Sequence, residues 1–272
     1  MEVLGLEFMR RALLAALIVG ITAPSIGVFL VQRRLALMGD GIGHVAFMGV
    51  AGGLFLGTSP VITGIVAASL AGAGIEALRE RGRTASDVAL ALIFYGGIAG
   101  GAVLAFASGK ANTVLGYLFG SVLTVTGEDL VILGLAGAAV LLTVSLWRKE
   151  LFAVCYDEEV ARVSGLPVRL LNFVMALAAA VTVGVTMRVV GILLVSAMLV
   201  LPVAIVQQLS TSFRTTLLGS MVLGGILGVG GVLLAYALDT SPGATIVLAA
   251  IAVFFVAALL AQAFSRRRPA TA

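Results

Sequence analysis

Asp40 and His44 stand four residues apart in the stretch Met38-Gly39-Asp40-Gly41-Ile42-Gly43-His44, and His44 is the only histidine in the chain. On a helix that spacing places both side chains on one face, one turn apart. A carboxylate and an imidazole so placed can hydrogen-bond each other or share a divalent cation. The same spacing also suits a capping role, with Asp40 as the N-cap and His44 as a hydrogen-bonded interior residue. The surrounding sequence is apolar as far as Ile75. Either side chain would cost several kcal/mol facing lipid, so both must face protein or a watery path.

Other chemistries lack their residues. With one cysteine, Cys155, neither an intramolecular disulfide nor a cysteine metal cluster can form. A phosphate-binding loop needs G-x-x-x-x-G-K followed by Ser or Thr. The only Gly-Lys pair, Gly109-Lys110, is followed by Ala111 and has Leu104 where the first glycine belongs. The chain is not expected to bind ATP in that way. No H-E-x-x-H or G-x-S-x-G motif occurs, and no row of arginines marks a voltage sensor.

The elements that hold the pair are membrane helices. Hydrophobic residues make up 61% of 272 positions and charged residues 11%, far from the usage of a soluble domain. A span needs roughly 20 apolar residues. Nine candidate spans follow: 12–31, 41–57, 60–75, 88–106, 130–146, 170–187, 189–207, 215–238 and 243–264. The segment 112–127 is a weaker candidate, suited to a partly inserted helix. The second span is crowded with Gly41, Gly43, Gly49, Gly52 and Gly53, which permit close helix contact beside a cavity. Arg188 divides the sixth and seventh spans. The whole chain, 1–272, reads as one all-α, polytopic membrane domain with no cleavable leader apparent.

The net charge of +4 comes from 15 arginines and two lysines. Their scatter into loops suits topology signals and argues against a nucleic-acid surface. The positive-inside rule puts Arg33-Arg34, Arg79–Arg83, Arg148-Lys149, Arg214 and Arg266–Arg268 in the cytoplasm, so the N-terminus lies outside and the C-terminus inside. Asp40 then begins a span at its cytoplasmic end, unless the short helix is displaced inward.

Within the cytoplasmic segment 156–169, Asp157 can cap a short helix, with Glu158 and Glu159 in its first turn. Gly165 and Pro167 supply its stop. A loop helix near 157–166 suits docking to a cytoplasmic partner, or serves as an ordinary structured loop.

These residues resemble the membrane permease subunits of ATP-binding-cassette importers for zinc, manganese and related divalent metals. Gly39-Asp40-x-x-x-His44 is similar to that family's early G-D-x-x-x-H segment. Tyr117-Leu118-Phe119-Gly120-Ser121, with Val125-Thr126 and Glu128-Asp129-Leu130, is similar to its middle segment. Asp157 to Val168, including Ser164-Gly165-Leu166-Pro167-Val168, resembles its coupling helix. The run from Val190 to Ala204 resembles its most recognisable hydrophobic stretch, and Asp239-x-x-Pro242-Gly243 fits before the last span. Members often carry Ser or Ala before the histidine and Ala after it, where this chain has Gly43 and Val45. Some zinc-type relatives add a histidine in the fourth span, where this chain reads Phe94-Tyr95-Gly96.

The resemblance implies a homodimeric, multi-pass permease in a prokaryotic plasma membrane. Cytoplasmic ATPase subunits would drive it, and an extracytoplasmic metal-binding protein would deliver the ion. It implies Asp40 and His44 as transient metal ligands, and Asp157, Glu158, Gly165, Leu166 and Pro167 as the coupling segment. The cargo would be Zn2+ or Mn2+, with Fe2+ also suited, and no cofactor would be permanently bound. Two other readings remain open at this stage: a proton-coupled secondary transporter relaying protons through Asp40 and His44, and an importer of the same architecture that carries a metal chelate.

Overall fold

A computed structural model describes residues 6–80, 86–120 and 125–265. The basic residues at 81–83, Ser121 to Thr124, and the arginines at 266–268 lie outside the described residues. Among the described residues there are twelve helices: α1 (Glu7–Gln32), α2 (Met38–Leu56), α3 (Pro60–Glu80), α4 (Ser86–Ala107), α5 (Ala111–Phe119), α6 (Gly127–Leu146), α7 (Arg148–Tyr156), α8 (Glu158–Val163), α9 (Val168–Val190), α10 (Ile192–Leu209), α11 (Phe213–Leu238) and α12 (Pro242–Ser265). Eight are long and apolar enough to cross a membrane: α1, α2, α3, α4, α6, α9, α11 and α12. The ninth expected span is α10, whose apolar part is shorter, Leu194–Leu209.

Helix boundaries follow local chemistry. Gly57 ends α2 with a left-handed φ of +69°, and Pro60 opens α3 at the position where a missing N–H costs nothing. Thr126 and Asp129 form a reciprocal capping box that starts α6, three residues before the expected Leu130. The Thr126 side chain accepts from the Asp129 N–H at 3.3 Å, and Asp129 Oδ2 accepts from the Thr126 N–H at 2.9 Å.

The structure departs from or adds to the sequence expectations at three points. Arg188 does not divide the sixth and seventh spans, because α9 runs through it to Val190. Arginine is a good helix former, whereas Gly191, with φ +91°, takes the conformation that ends the helix. Among the described residues of 112–127 the helix is the nine-residue α5, about 13 Å long, too short to span and in keeping with a partly inserted helix. It ends at Gly120, where an added Cβ would lie 2.3 Å from the Gly191 nitrogen, so α5 abuts the α9–α10 break. Finally, the stretch between the fifth expected span and Asp157 is itself a helix, α7, which buries Leu151 and Val154.

α1 lies at the centre, packed against α6, α7, α9, α10 and α11. Its seam with α11 is backbone on backbone: a Cβ at Gly20 would lie 2.3 Å from the Gly224 oxygen, and one at Gly224 would lie 2.1 Å from the Gly20 oxygen. α2 is enclosed by α3, α4, α5, α9 and α10. α4 and α12 keep mostly exposed apolar outer faces, including Leu92, Val103, Phe106, Phe255 and Leu259. Such faces suit lipid or a second protein.

Candidate functional site

Glycine lets α2 slide deep between its neighbours. A Cβ at Gly39 would lie 2.9 Å from the Leu199 side chain, and one at Gly43 would lie 3.0 Å from that of Ile192, so this ridge rests on α10. On another side, a Cβ at Gly97 of α4 would lie 2.6 Å from the His44 carbonyl carbon. Asp40 and His44 therefore sit on a helix gripped by α10 and α4.

The pair lies well inside the bundle. Gly43 faces Val183 of α9, which is fifteen residues from that helix's start and seven from its end. At 1.5 Å per residue those distances are about 22 Å and about 10 Å. The inward displacement that a Gly-rich helix allows is thus present, and Asp40 is one turn closer than His44 to the arginine-rich end.

The capping geometry is different from the one the spacing allowed. α2 begins at Met38 with Leu37 as its cap and no side-chain cap bond, so Asp40 is the third helical residue. There its half-buried carboxylate faces the positive end of the helix dipole. His44 is 7% exposed, and its Nδ1 has no hydrogen-bond partner. Its ring meets Phe94 edge-on, with centroids 4.4 Å apart and planes at 77°. Leaving a buried nitrogen unpaired costs about 1–3 kcal/mol, and a bound cation would remove that cost. Among the described residues, no group of three or more His, Cys, Asp or Glu could hold a metal ion. One chain thus offers two donors at this point, which suits a site that releases its ion.

The predicted coupling residues gather at the arginine-rich end. The Asp157 side chain caps α8, accepting from the Glu159 and Val160 N–H groups at 3.0 Å each. Gly165 takes φ +81°, and the Leu166 N–H closes back on the Ala161 carbonyl at 3.1 Å. This is the left-handed stop that the Gly-Leu-Pro sequence promised. Leu166 packs against the core, and Pro167 leads into α9. A cleft of about 1290 Å3 opens beside α8, between α3 and the start of α9, lined by Glu76, Arg79, Glu158, Arg162 and Asn172 among others. Buried Glu76 is paired with Arg79 at 2.7 Å.

Two residues at this end escaped the sequence reading. Arg33 reads in the sequence as a topology signal, yet it binds Glu158 and Asn172. Asn172, 3% exposed in an otherwise apolar run, carries the signal itself, because a polar residue in a span needs a partner.

Residues 5–261 match the model of the ABC 3 transport family. The chain belongs to the ABC 3 transport family. It is 31% identical over 267 residues to the manganese transport system membrane protein MntC of Listeria monocytogenes, covering 96% of this chain and 95% of that one. It is 32% identical over 260 residues to the chelated iron transport system membrane protein YfeD of Yersinia pestis, covering 95% and 87%. Among solved structures, PsaBC from Streptococcus pneumoniae in complex with Fab shares the fold at a TM-score of 0.82 and 31% identity, over 94% of this chain and 93% of that one. This ABC 3 chain is therefore an all-helical, multi-pass membrane permease of an ABC transporter, as the five motifs indicated.

Proposed function

We propose that this ABC 3 permease imports a divalent transition metal ion, Mn2+, Zn2+ or Fe2+, and that Asp40 and His44 are its transient ligands. The observation that carries the reading is the unpartnered, buried Nδ1 of His44, one turn from a half-buried carboxylate in the middle of the bundle. Imidazole with carboxylate suits this group of metals, and availability selects among them. The names of the relatives, which span manganese and chelated iron, support the metal class.

Two copies of the chain would bring two such pairs together, giving four donors that neither copy holds alone. The chain has no phosphate-binding loop, so cytoplasmic ATPase subunits would supply the energy by moving α8. An extracytoplasmic binding protein would deliver the ion to the opposite end. In this reading the arginine-rich end is cytoplasmic, with the N-terminus outside and the C-terminus inside. No cofactor remains bound, and the metal passes through as cargo.

Metal uptake by the complete transporter tests the pair. Asp40→Asn retains the shape and loses the charge, while His44→Gln retains a polar side chain and loses the ligating nitrogen. Each should lower uptake by more than about tenfold, at least what the loss of a supporting residue costs a metal site. Wild-type uptake by both variants, in correctly assembled complexes, would show the pair to be structural. The YfeD likeness also keeps the metal-chelate reading in the test. Uptake of the chelate with indifference to free metal would select it.

A further inference from the structure

Arg33 joins the loop helix to the beginning of α2. Its side chain is 6% exposed; Nη2 donates to Glu158 Oε2 at 2.6 Å, and Nη1 donates to Asn172 Oδ1. Glu158 is the first residue of α8, and Asn172 is buried in the first turns of α9. The planar fork of an arginine fixes direction as well as distance, which an ammonium group does not.

Arg33 is also the residue that closes α1, seven positions before Asp40. The turn between α1 and α2 has little slack. The Arg33, Arg34 and Leu35 N–H groups bond back to the carbonyls of Phe29, Val31 and Leu30 at 3.1, 3.0 and 2.8 Å. Arg34 is held in the left-handed region at φ +59°, a conformation that a side-chain-bearing residue adopts only when its surroundings impose it. A taut turn passes a displacement on, where a loose one would absorb it. The end of α1 is gripped a second time, by α7 and α11. Cys155 of α7 donates to the Phe29 carbonyl at 3.7 Å, and Phe213 of α11 packs between the rings of Phe29 and Phe152.

We infer that Arg33 is the positioning residue through which movement of α8 reaches α2, and with it Asp40 and His44. The inference rests on the reading above that the ATPase subunits act on α8. Arg33 touches no cargo; it makes α8, the end of α1 and the start of α9 move as one body. Glu158 and Asn172 both line the cytoplasmic cleft, so the same bonds fix one wall of that cleft to α2.

The test uses the complete transporter in liposomes, with Arg33→Gln and Arg33→Lys. ATP hydrolysis should stay near the wild-type rate, while Mn2+ taken up per ATP falls by about tenfold or more, within the usual range of coupling between sites. A second readout is independent of cargo. Leu37, which precedes α2, is 65% exposed and accepts a spin label as Leu37→Cys in a Cys155→Ser background. Its spectrum should change on ATP binding with Arg33 present and stay unchanged with Gln or Lys there. Wild-type uptake per ATP together with a wild-type spectral change on ATP binding in both variants overturns the inference. The label needs no metal, so it decides the role of Arg33 even if the wild-type complex proves not to carry Mn2+. If Arg33→Gln fails to assemble, Glu158→Gln breaks the same bond from α8, and the label response again decides.

Discussion

Phe94 occupies the position beside His44 from which, in the proposed site, a third ligand could reach a bound ion. Its ring centroid is 4.4 Å from that of the imidazole, so a histidine there would bring a nitrogen to the same locality. Phe94→His should tighten Zn2+ binding, measured by competition with a chelating dye, and should slow Zn2+ uptake, because a better-filled shell releases its ion less readily. Tighter binding with undiminished uptake would show that release from this site does not limit transport. Asp40 and His44 were legible in the sequence because ionisable residues in apolar runs have few innocent explanations. Their depth was not, since it depends on how far Gly39, Gly43 and Gly97 let α2 and its neighbours close. Nor was the contact with Phe94, which only the register between α2 and α4 creates.

At the scale of the element, α8 has six residues and is shaped by its two ends. Asp157 caps one, and Gly165 at φ +81° closes the other. A valine at 165 would cost about 1–2 kcal/mol in a left-handed conformation, comparable with what so short a helix can lose. Gly165→Val should therefore weaken ATPase association and uptake together while leaving Mn2+ binding to the purified permease unchanged. Copurification and a binding isotherm check both halves, and normal association in that variant would remove the docking role from α8. This helix was readable because its cap and stop are local chemistry. By contrast, α7 was missed because its short buried stripe, Leu151 and Val154, follows a cluster of charge. The break between α9 and α10 was placed at a charge, Arg188, when the backbone needed a glycine, Gly191.

For the whole molecule, the sidedness of the two ends can be read with thiol chemistry. Burial pushes the Cys155 thiol up to about 12, in spite of the lowering by the Arg33 charge, so it stays protonated and slow to react near pH 8. Background labelling should accordingly be low, and Cys155→Ser removes it. Lys149→Cys, exposed at the arginine-rich end, should resist an impermeant maleimide in intact cells and react after permeabilisation. Thr240→Cys, exposed at the other end, should react in both. The opposite pattern would invert the topology and put α8 beyond reach of a cytoplasmic ATPase. The order of the eight long spans was legible because length and hydropathy suffice for it, whereas the ninth expected span is the shorter α10. Which helices touch was not, because contact is set by where small residues coincide between helices far apart in sequence.

The backbone-on-backbone seam between α1 and α11 has a genetic consequence. Every single-base change in a glycine codon that is not silent or a stop installs at least a Cβ. At Gly20 that atom would fall 2.3 Å from an oxygen of α11, and at Gly224 it would fall 2.1 Å from an oxygen of α1. Both partners are main chain, so no rotamer can yield; the helices themselves would have to separate. A saturation library selected for transport should thus be nearly empty at positions 20 and 224, while Gly230 and Gly134, with nothing within 4 Å of their added Cβ, fill freely.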